Sequence, residues 1–383
     1  MLRALGFFAL ALPACSSTSP PASHCSSANL VVAASDEQEE SAVGTVALTG
    51  CAALDSSMAL GPDPALSASH GRVFFINRHV GNVFELDPST GIPISRGWLA
   101  NDAKGPPGNS NPQDVAVAPD GSLWVARLDE SSVLRVSSDG QQQLGTIDLS
   151  RVTGKTRNPY MSSIRTITLP GGTAKAYLTL EMLAYDTSSD DLLPDGPSYL
   201  VRIDVATGKV DDLLTLKGQN PFGLMVEYDD KLYLAEPGSF YKADETNAGI
   251  EVVDLATFTS DLLVKESDIG ASVAQVSITH GCATAIVADP SENNYTSLIS
   301  FDPASGIIHT PLSQKLLYTD AGYELEGMTW LEDGGVNVVG DRTGVVGKGY
   351  ALHVLQASDV CVLTEKEAPV FVPAAPVAFQ PVP

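Results

Sequence analysis

One pattern recurs about every fifty residues along this chain, and it constrains the fold more than any other feature. A turn rich in Gly, Asp or His precedes a short β-branched and aromatic run. The first copies are Ser69-His70-Gly71 before Val73-Phe74-Phe75-Ile76 and Pro119-Asp120-Gly121 before Leu123-Trp124-Val125-Ala126. The pair returns at Pro170-Gly171-Gly172 before Ala176-Tyr177-Leu178, and at Tyr228-Asp229-Asp230 before Leu232-Tyr233-Leu234-Ala235. His280-Gly281-Cys282 before Ala285-Ile286-Val287-Ala288 and Asp333-Gly334-Gly335 before Val336-Asn337-Val338-Val339 continue the series. Turn residues flanked by period-two apolar runs specify hairpins, because Gly supplies positive φ and alternation gives one face to bury. A further strand ends in an Asp-centred turn, as in Val83 to Gly91, Val133 to Gly140, Tyr199 to Gly208, Ile250 to Thr257 and Leu298 to Gly306. Repeated four-strand units with little helical periodicity predict an all-β chain folded as a single β-propeller, whose radial repetition leaves few sheet edges exposed.

The ends of the chain bear on blade number. Leu30-Val31-Val32-Ala33-Ala34 and Ala42 to Leu48 read as the middle of a unit lacking its first strand. The unit from Gly327 to Val360 lacks an obvious fourth strand. A last blade closed by both termini gives seven four-stranded antiparallel blades; six, with the N-terminal strands filling the last blade, is the alternative. At 383 residues the chain is about two domains by length alone, unless one all-β ring uses it all. The expected organisation is a signal segment at 1–15, a flexible tether at 16–28, the propeller at 29–366 and a Pro/Ala-rich tail at 367–383.

The copies resemble the YVTN-type (YncE-like) β-propeller repeats of exported bacterial proteins, especially their lipoprotein members. Phe75-Ile76-Asn77-Arg78 followed by Phe84-Glu85-Leu86-Asp87-Pro88 carries the likeness, as do the Asn111-Pro112-Gln113-Asp114 and Asn220-Pro221-Phe222-Gly223 openings and Gly249 to Asp254. Tyr-Val-Thr-Asn itself is absent, and Tyr233-Leu234-Ala235-Glu236 is a degenerate counterpart. The resemblance spans about 30–360 and implies the fold; it implies no particular reaction, because such repeats record blade geometry.

The N-terminus reads as an address. Arg3 precedes the apolar run Ala4 to Leu12, far shorter than the ~20 residues that span a bilayer. Leu12-Pro13-Ala14-Cys15 resembles a bacterial lipoprotein signal, which implies acylation of Cys15 and a lipid anchor in the cell envelope. An ordinary secretory signal cleaved near Ala14 is the alternative, and Ser16 and Ser17 resemble signals that permit outer-membrane sorting. Export favours disulfides, and Cys25, Cys51, Cys282 and Cys361 remain after Cys15 is set aside, with three pairings open. A Cys51–Cys361 bridge at the propeller seam is one expectation. Acidic residues outnumber basic ones 46 to 22, for a net charge of −24, so nucleic-acid binding by counterion release is not expected.

Propeller topology converts these motifs into surfaces. With strands A to D counted outward, the D–A and B–C loops share one face, the top, and the Asp-Gly turns lie on the other. Residues ending strand B then give top-face candidates for ligand or protein binding: Asn77, Arg78, Arg127, Glu236, Asp289 and Asp341, with Asp129, Glu181 and Arg342 nearby. The Asn-Pro openings add Asn111 and Asn220. The competing reading of the same residues is structural, since Asn before Pro caps a turn and charges between blades pair to hold loops. The strand-B aromatics Phe74, Phe75, Trp124, Tyr177 and Tyr233 are expected in the core.

Chemistry beyond binding has thin support. The 182–197 insertion carries Asp186, Asp190, Asp191 and Asp195, a weak calcium candidate without D-x-D-x-D-G spacing. Linear nucleophile-elbow, zincin, dinucleotide and Walker patterns are absent, so no cofactor is expected and the reading leans away from an enzyme. The leading expectation is a membrane-tethered binding or scaffold module. The alternative is a lactonase-like hydrolase with a divalent ion near the axis, held by Glu236, Asp289, Asp341 and Asn220.

Overall fold

The computed structural model describes residue 25 and residues 27–382, apart from 36–40, 57–60, 95, 102–109, 155–156, 188–190, 241–244, 280, 290–294, 315, 318–323, 332–334, 346 and 367. Seven antiparallel sheets fan around one axis. From the inside out, blade 1 runs Pro376–Pro381, Leu30–Ser35, Ser41–Ala47 and Cys51–Asp55. Blade 2 is Pro64–Ser69, Arg72–Asn77, Asn82–Leu86 and Trp98–Leu99; blade 3 is Pro112–Val117, Leu123–Arg127, Ser132–Val136 and Gln143–Asp148. Blade 4 is Met161–Thr168, Ala174–Leu180, Tyr199–Asp204 and Lys209–Thr215, with a hairpin, Leu183–Asp186 and Asp191–Pro194, set between its second and third strands. Blade 5 is Phe222–Tyr228, Lys231–Glu236, Gly249–Asp254 and Thr259–Lys265; blade 6 is Ser272–Thr279, Cys282–Asp289, Tyr295–Phe301 and Ile308–Thr310. Blade 7 is Leu325–Leu331, Val336–Val345, Gly349–Ala357 and Leu363–Glu365, with Val370–Val372 also on its third strand.

Second strands carry the core. Phe74, Phe75, Trp124, Tyr177 and Tyr233 are all at most 1% exposed, each packed between neighbouring sheets as period-two alternation requires. Three arginines stack on aromatic rings: Arg72 on Phe74, Arg135 on Trp124 and Arg202 on Phe258. The outer turns are pinned by their aspartates: Asp87 accepts the Ser89 N–H at 2.8 Å, and Asp204, Asp254 and Asp302 accept the Thr207, Thr257 and Ser305 N–H groups. These bonds favour the ionised form and hold all four carboxyls below the usual range, Asp204 at about 2 with Lys175 as its main cause.

Three expectations about the ends need correction. The 367–383 segment is not a tail: Pro376–Pro381 is the innermost strand of blade 1, paired with Leu30–Ser35. An inner strand faces the axis on one side, so prolines at its ends cost no ladder bond. The flexible tether cannot extend to residue 28, because Cys25 is buried and disulfide-bonded to Cys51. The second bridge is Cys282–Cys361, not Cys51–Cys361. Cys361 sits in the outer turn of blade 7 and packs toward the Ala283 and Phe301 carbonyls of blade 6, while Cys51 lies on the other side of the blade 7 sheet. Cys15 lies outside the described residues.

Candidate functional site

The inner strands of all seven blades line an axial channel of about 390 Å³. Its polar side is built on blades 2 to 4 by Arg78, Gln113, Ser162 and Arg165; the facing blades present mostly apolar groups, among them Phe222, Met225, Met328 and Phe379. Arg78 Nη2 pairs with Asp63 Oδ1 at 2.5 Å, and Nη1 donates to Gln113 Oε1 at 3.4 Å. Arg165 Nη1 donates to Asp114 Oδ2 at 2.7 Å and to its neighbour's carbonyl, Ile164 O, at 2.9 Å.

A repeated backbone device aims these groups. Asp63, Asn111, Tyr160 and Asn220 adopt left-handed φ of 60°, 48°, 55° and 60° just before their inner strands or, for Asn220, one residue earlier. Asp and Asn tolerate that region better than other residues with a Cβ, which explains the recurring Asx-Pro openings. The carbonyls of Asp63, Asn111 and Tyr160 accept the N–H of Arg78, Leu128 and Glu181, tying each inner strand to the end of its hairpin partner. Asn111 also accepts Gln113 Nε2 through its side chain, at 2.5 Å, which orients Gln113 at the channel.

Most strand-B candidates serve the blades themselves. Asn77 is 1% exposed and accepts the Val80 N–H at 3.0 Å. Arg127, fully buried, donates to Ala100 O at 3.1 Å and to Ser132 O and Oγ at 2.8 and 2.7 Å, lacing blade 3 to the connection from blade 2. Buried Asn220 donates Nδ2 to Gly238 O at 2.9 Å. Asp341 accepts the Thr343 N–H at 2.8 Å and contacts His353 Nε2 at 3.3 Å, while His353 Nδ1 meets Glu365 Oε1 at 3.1 Å. Burial opposes the His353 charge, but the two carboxyls prevail and raise its pKa. Asp289 ends its strand half-buried in blade 6. Among the eight candidates, Arg78 is the one that lines the channel.

Two buried glutamates sit close to this framework. Glu236, fully buried, has no hydrogen-bond partner for either oxygen as an acceptor, and burial followed by the adjacent Glu251 raises its pKa strongly. Glu251 in turn accepts the Lys217 and Gly218 N–H groups at 2.8 and 2.7 Å. Burial and the neighbouring carboxyl thus both favour the neutral form of Glu236. Glu181 lies beside Ser162 and Arg78; burial pushes it up to about 8 despite the Ser162 bond and the Arg78 charge.

The calcium candidate gains no cage. Asp195 pairs with Arg157 at 2.7 Å, Asp186 and Asp191 are partners across the inserted hairpin, and Asp190 lies outside the described residues. Among the described residues, no three His, Cys, Asp or Glu side chains stand close enough to hold one ion, so Glu236, Asp289 and Asp341 do not converge.

Sequence reasoning missed Gln113, Ser162, Arg165 and Phe222. The available signal was Arg165 itself, a charge within the otherwise uncharged strand Met161–Thr168.

Neither a protein-family model nor a curated protein matches the chain. Solved structures do. Hydrazine synthase of Kuenenia stuttgartiensis is similar at 14% identity and TM-score 0.52, over 76% of each chain. A streptogramin B lyase gives 10% identity and TM-score 0.52, over 82% of this chain and 86% of the lyase. The dihydro-heme d1 dehydrogenase NirN gives 15% identity and TM-score 0.51, over 95% of this chain and 77% of its own. Likeness at these identities establishes the β-propeller and stops there.

Proposed function

We propose that the chain is an exported, membrane-tethered propeller, akin to the YVTN-type lipoproteins, that binds a small ligand in its axial channel. The channel carries this reading: about 390 Å³, with arginine and amide groups on one side and apolar groups on the other. That combination of volume, apolar wall and a few placed polar groups is typical of ligand sites. The ring suits the task because side chains bond the inner strands of adjoining blades to one another. Ser67 Oγ donates to Val115 O at 2.9 Å, Thr166 Oγ1 to Val117 O at 2.5 Å and Gln380 Nε2 to Leu66 O at 3.3 Å. Such a frame holds channel groups in place before a ligand arrives.

Tethering rests on Leu12-Pro13-Ala14-Cys15 and on the Cys25–Cys51 bridge. Nine residues, 16–24, separate the acylation candidate from the buried Cys25. Fully extended they reach about 30 Å, so the ring stays close to the lipid surface, with the outer membrane as the favoured site.

Two measurements test the proposal. Labelled palmitate should enter the protein in a bacterial host and fail to enter Cys15→Ala. Nile red, a neutral solvatochromic dye, should bind once per chain, and Ala378→Trp, which fills the channel from blade 1, should abolish binding without unfolding the protein. Binding that ignores Ala378→Trp would move the site elsewhere.

A further inference from the structure

Charge is distributed unevenly around the channel. The chain carries 46 acidic and 22 basic residues, yet its two channel arginines stand on one wall, on adjoining stretches of blades 2 to 4. Each has a counter-charge placed away from the lumen. Asp63, the partner of Arg78, is half-exposed at the outer lip. Asp114, the partner of Arg165, is fully buried behind it. That carboxylate is also shared: it accepts Ser67 Oγ at 2.6 Å, the Val115 N–H at 2.9 Å, Ser163 Oγ at 2.8 Å and the Ile164 N–H at 2.9 Å. Arg165 spends Nη1 on these contacts, and its Nε and Nη2 have no hydrogen-bond partner among the described residues.

The acids that line the channel stand on the facing blades. Glu326 lines the blade 7 side and is engaged by Arg342 Nη1 at 2.6 Å. Glu227 lines the blade 5 side, near enough to Arg165 to feel its charge; burial raises the carboxyl's pKa while Arg165 lowers it. Glu181 behind Arg78 and Ser162 is likewise pushed toward its neutral form by burial. The lumen therefore offers guanidinium and amide donors on one side, and on the other Met225, Met328, Val377 and Phe379 together with Glu227 and Glu326.

We infer that the ligand of the axial channel is a small organic monocarboxylate, its head group held by Arg78 and Arg165 and its apolar body against the inner strands of blades 5 to 7 and 1. The inference rests on the axial-channel reading and adds the chemical class to it. A planar guanidinium presents paired donors that match a carboxylate. An amine on the arginine wall would meet two like charges there, and a fully apolar molecule would leave Arg165 Nε and Nη2 without a partner.

Phenylbutyrate, phenylbutyramide and phenylbutylamine, titrated calorimetrically into the purified protein, separate the possibilities because they share one apolar body. The acid should bind at least tenfold more tightly than the amide, and the amine more weakly than either. Arg78→Gln should bring acid and amide within threefold of each other. Arg165→Lys keeps a cation on Asp114, so the fold survives, but removes the lumen-facing donors and should reduce the acid's advantage likewise. Equal binding of all three probes, or a preference for the amine, would overturn the carboxylate assignment and leave a ligand-binding channel standing. No binding by any probe, together with no Nile red binding, would remove both. An acid preference that survives both variants would place the recognition outside these arginines.

Discussion

Arg165 donates Nη1 to Asp114 Oδ2 at 2.7 Å across the junction of blades 3 and 4, and the same carboxyl receives Ser67 Oγ from blade 2 at 2.6 Å. Ser163 Oγ donates to Asp114 Oδ2 at 2.8 Å and accepts the Met225 N–H of blade 5 at 3.0 Å. One buried acid thus organises the inner strands of four consecutive blades. Asp114→Ala strips the counter-charge from Arg165 and leaves several buried donors unpaired, so it should cost about 3–5 kcal/mol, read from the urea midpoint. Asp114→Asn, which keeps the shape and half of the acceptors, should cost less. Indifference to both substitutions would show that the hub contributes nothing to blade cohesion.

The buried glutamates give stability a definite pH dependence. Glu181 and Glu266 are raised from 4.5 to about 8, in both cases chiefly by burial. A group with a raised folded pKa contributes fully below its unfolded value and loses that contribution as pH climbs to the folded one. Each such glutamate should therefore remove about 1 kcal/mol of stability per pH unit between about 4.5 and 8. The turn aspartates act oppositely: Asp87, Asp204, Asp254 and Asp302 are depressed, so their contribution is present above about 3.8 and lost on further acidification. Urea midpoints should peak near pH 4–5 and decline on both sides. Glu181→Gln should flatten the alkaline limb while leaving the acid limb unchanged.

How far the sequence reaches is visible in particular residues. Hairpins were legible because Gly71, Gly121 and Gly281 sit at left-handed turns, with φ of 74°, 82° and 78°, between alternating apolar runs. Asn77, Arg127, Glu236 and Asp289 end their second strands and Asp341 lies inside Val336–Val345, but what those side chains meet was not legible. Whether Arg127 meets a ligand or the carbonyls of Ala100 and Ser132 depends on how closely neighbouring blades approach. Arg165 escaped notice for a related reason: a charge inside an inner strand is acceptable only because Asp114 of the next blade lies 2.7 Å away. Pro376 to Pro381 looked like a tail because its prolines argue against a central strand, and only ring closure makes it an innermost one.

Cys282–Cys361 closes a separation of 79 residues and joins blade 6 to the outer turn of blade 7; Cys25–Cys51 closes 26 and holds the start of the propeller on blade 1. Chain-entropy reasoning assigns about 4.5 kcal/mol to the longer loop and about 3.5 kcal/mol to the shorter. The paired substitution Cys282→Ser with Cys361→Ser should lower the melting temperature more than Cys25→Ser with Cys51→Ser. Reductant should reproduce the sum of both losses in the unmodified protein. The reverse order would indicate that strain or residual unfolded structure outweighs loop length.

Closure of the ring depends on the last strand. Pro376–Pro381 pairs with Leu30–Ser35, and the Val382 N–H donates to Asn29 O at 3.0 Å, so the two termini are knitted together over the full height of the blade. Phe379, 4% exposed, fills the space above Gly327 and Gly340, where an added Cβ would lie 2.6 and 2.7 Å from its ring. Gln380 Nε2 reaches Leu66 O at 3.3 Å and connects this blade to the next. A chain ending at Ala375 would expose the Leu30–Ser35 edge and the apolar faces of blades 7 and 2 together, a surface prone to edge pairing between molecules. It should elute as aggregates in size-exclusion chromatography and unfold without a cooperative transition. Phe379→Ala, which preserves the strand, should remain monomeric and lose about 3–5 kcal/mol, so comparing the two separates loss of closure from loss of packing. A monomeric, cooperatively unfolding truncation would mean that the other six blades hold the ring without blade 1's inner strand.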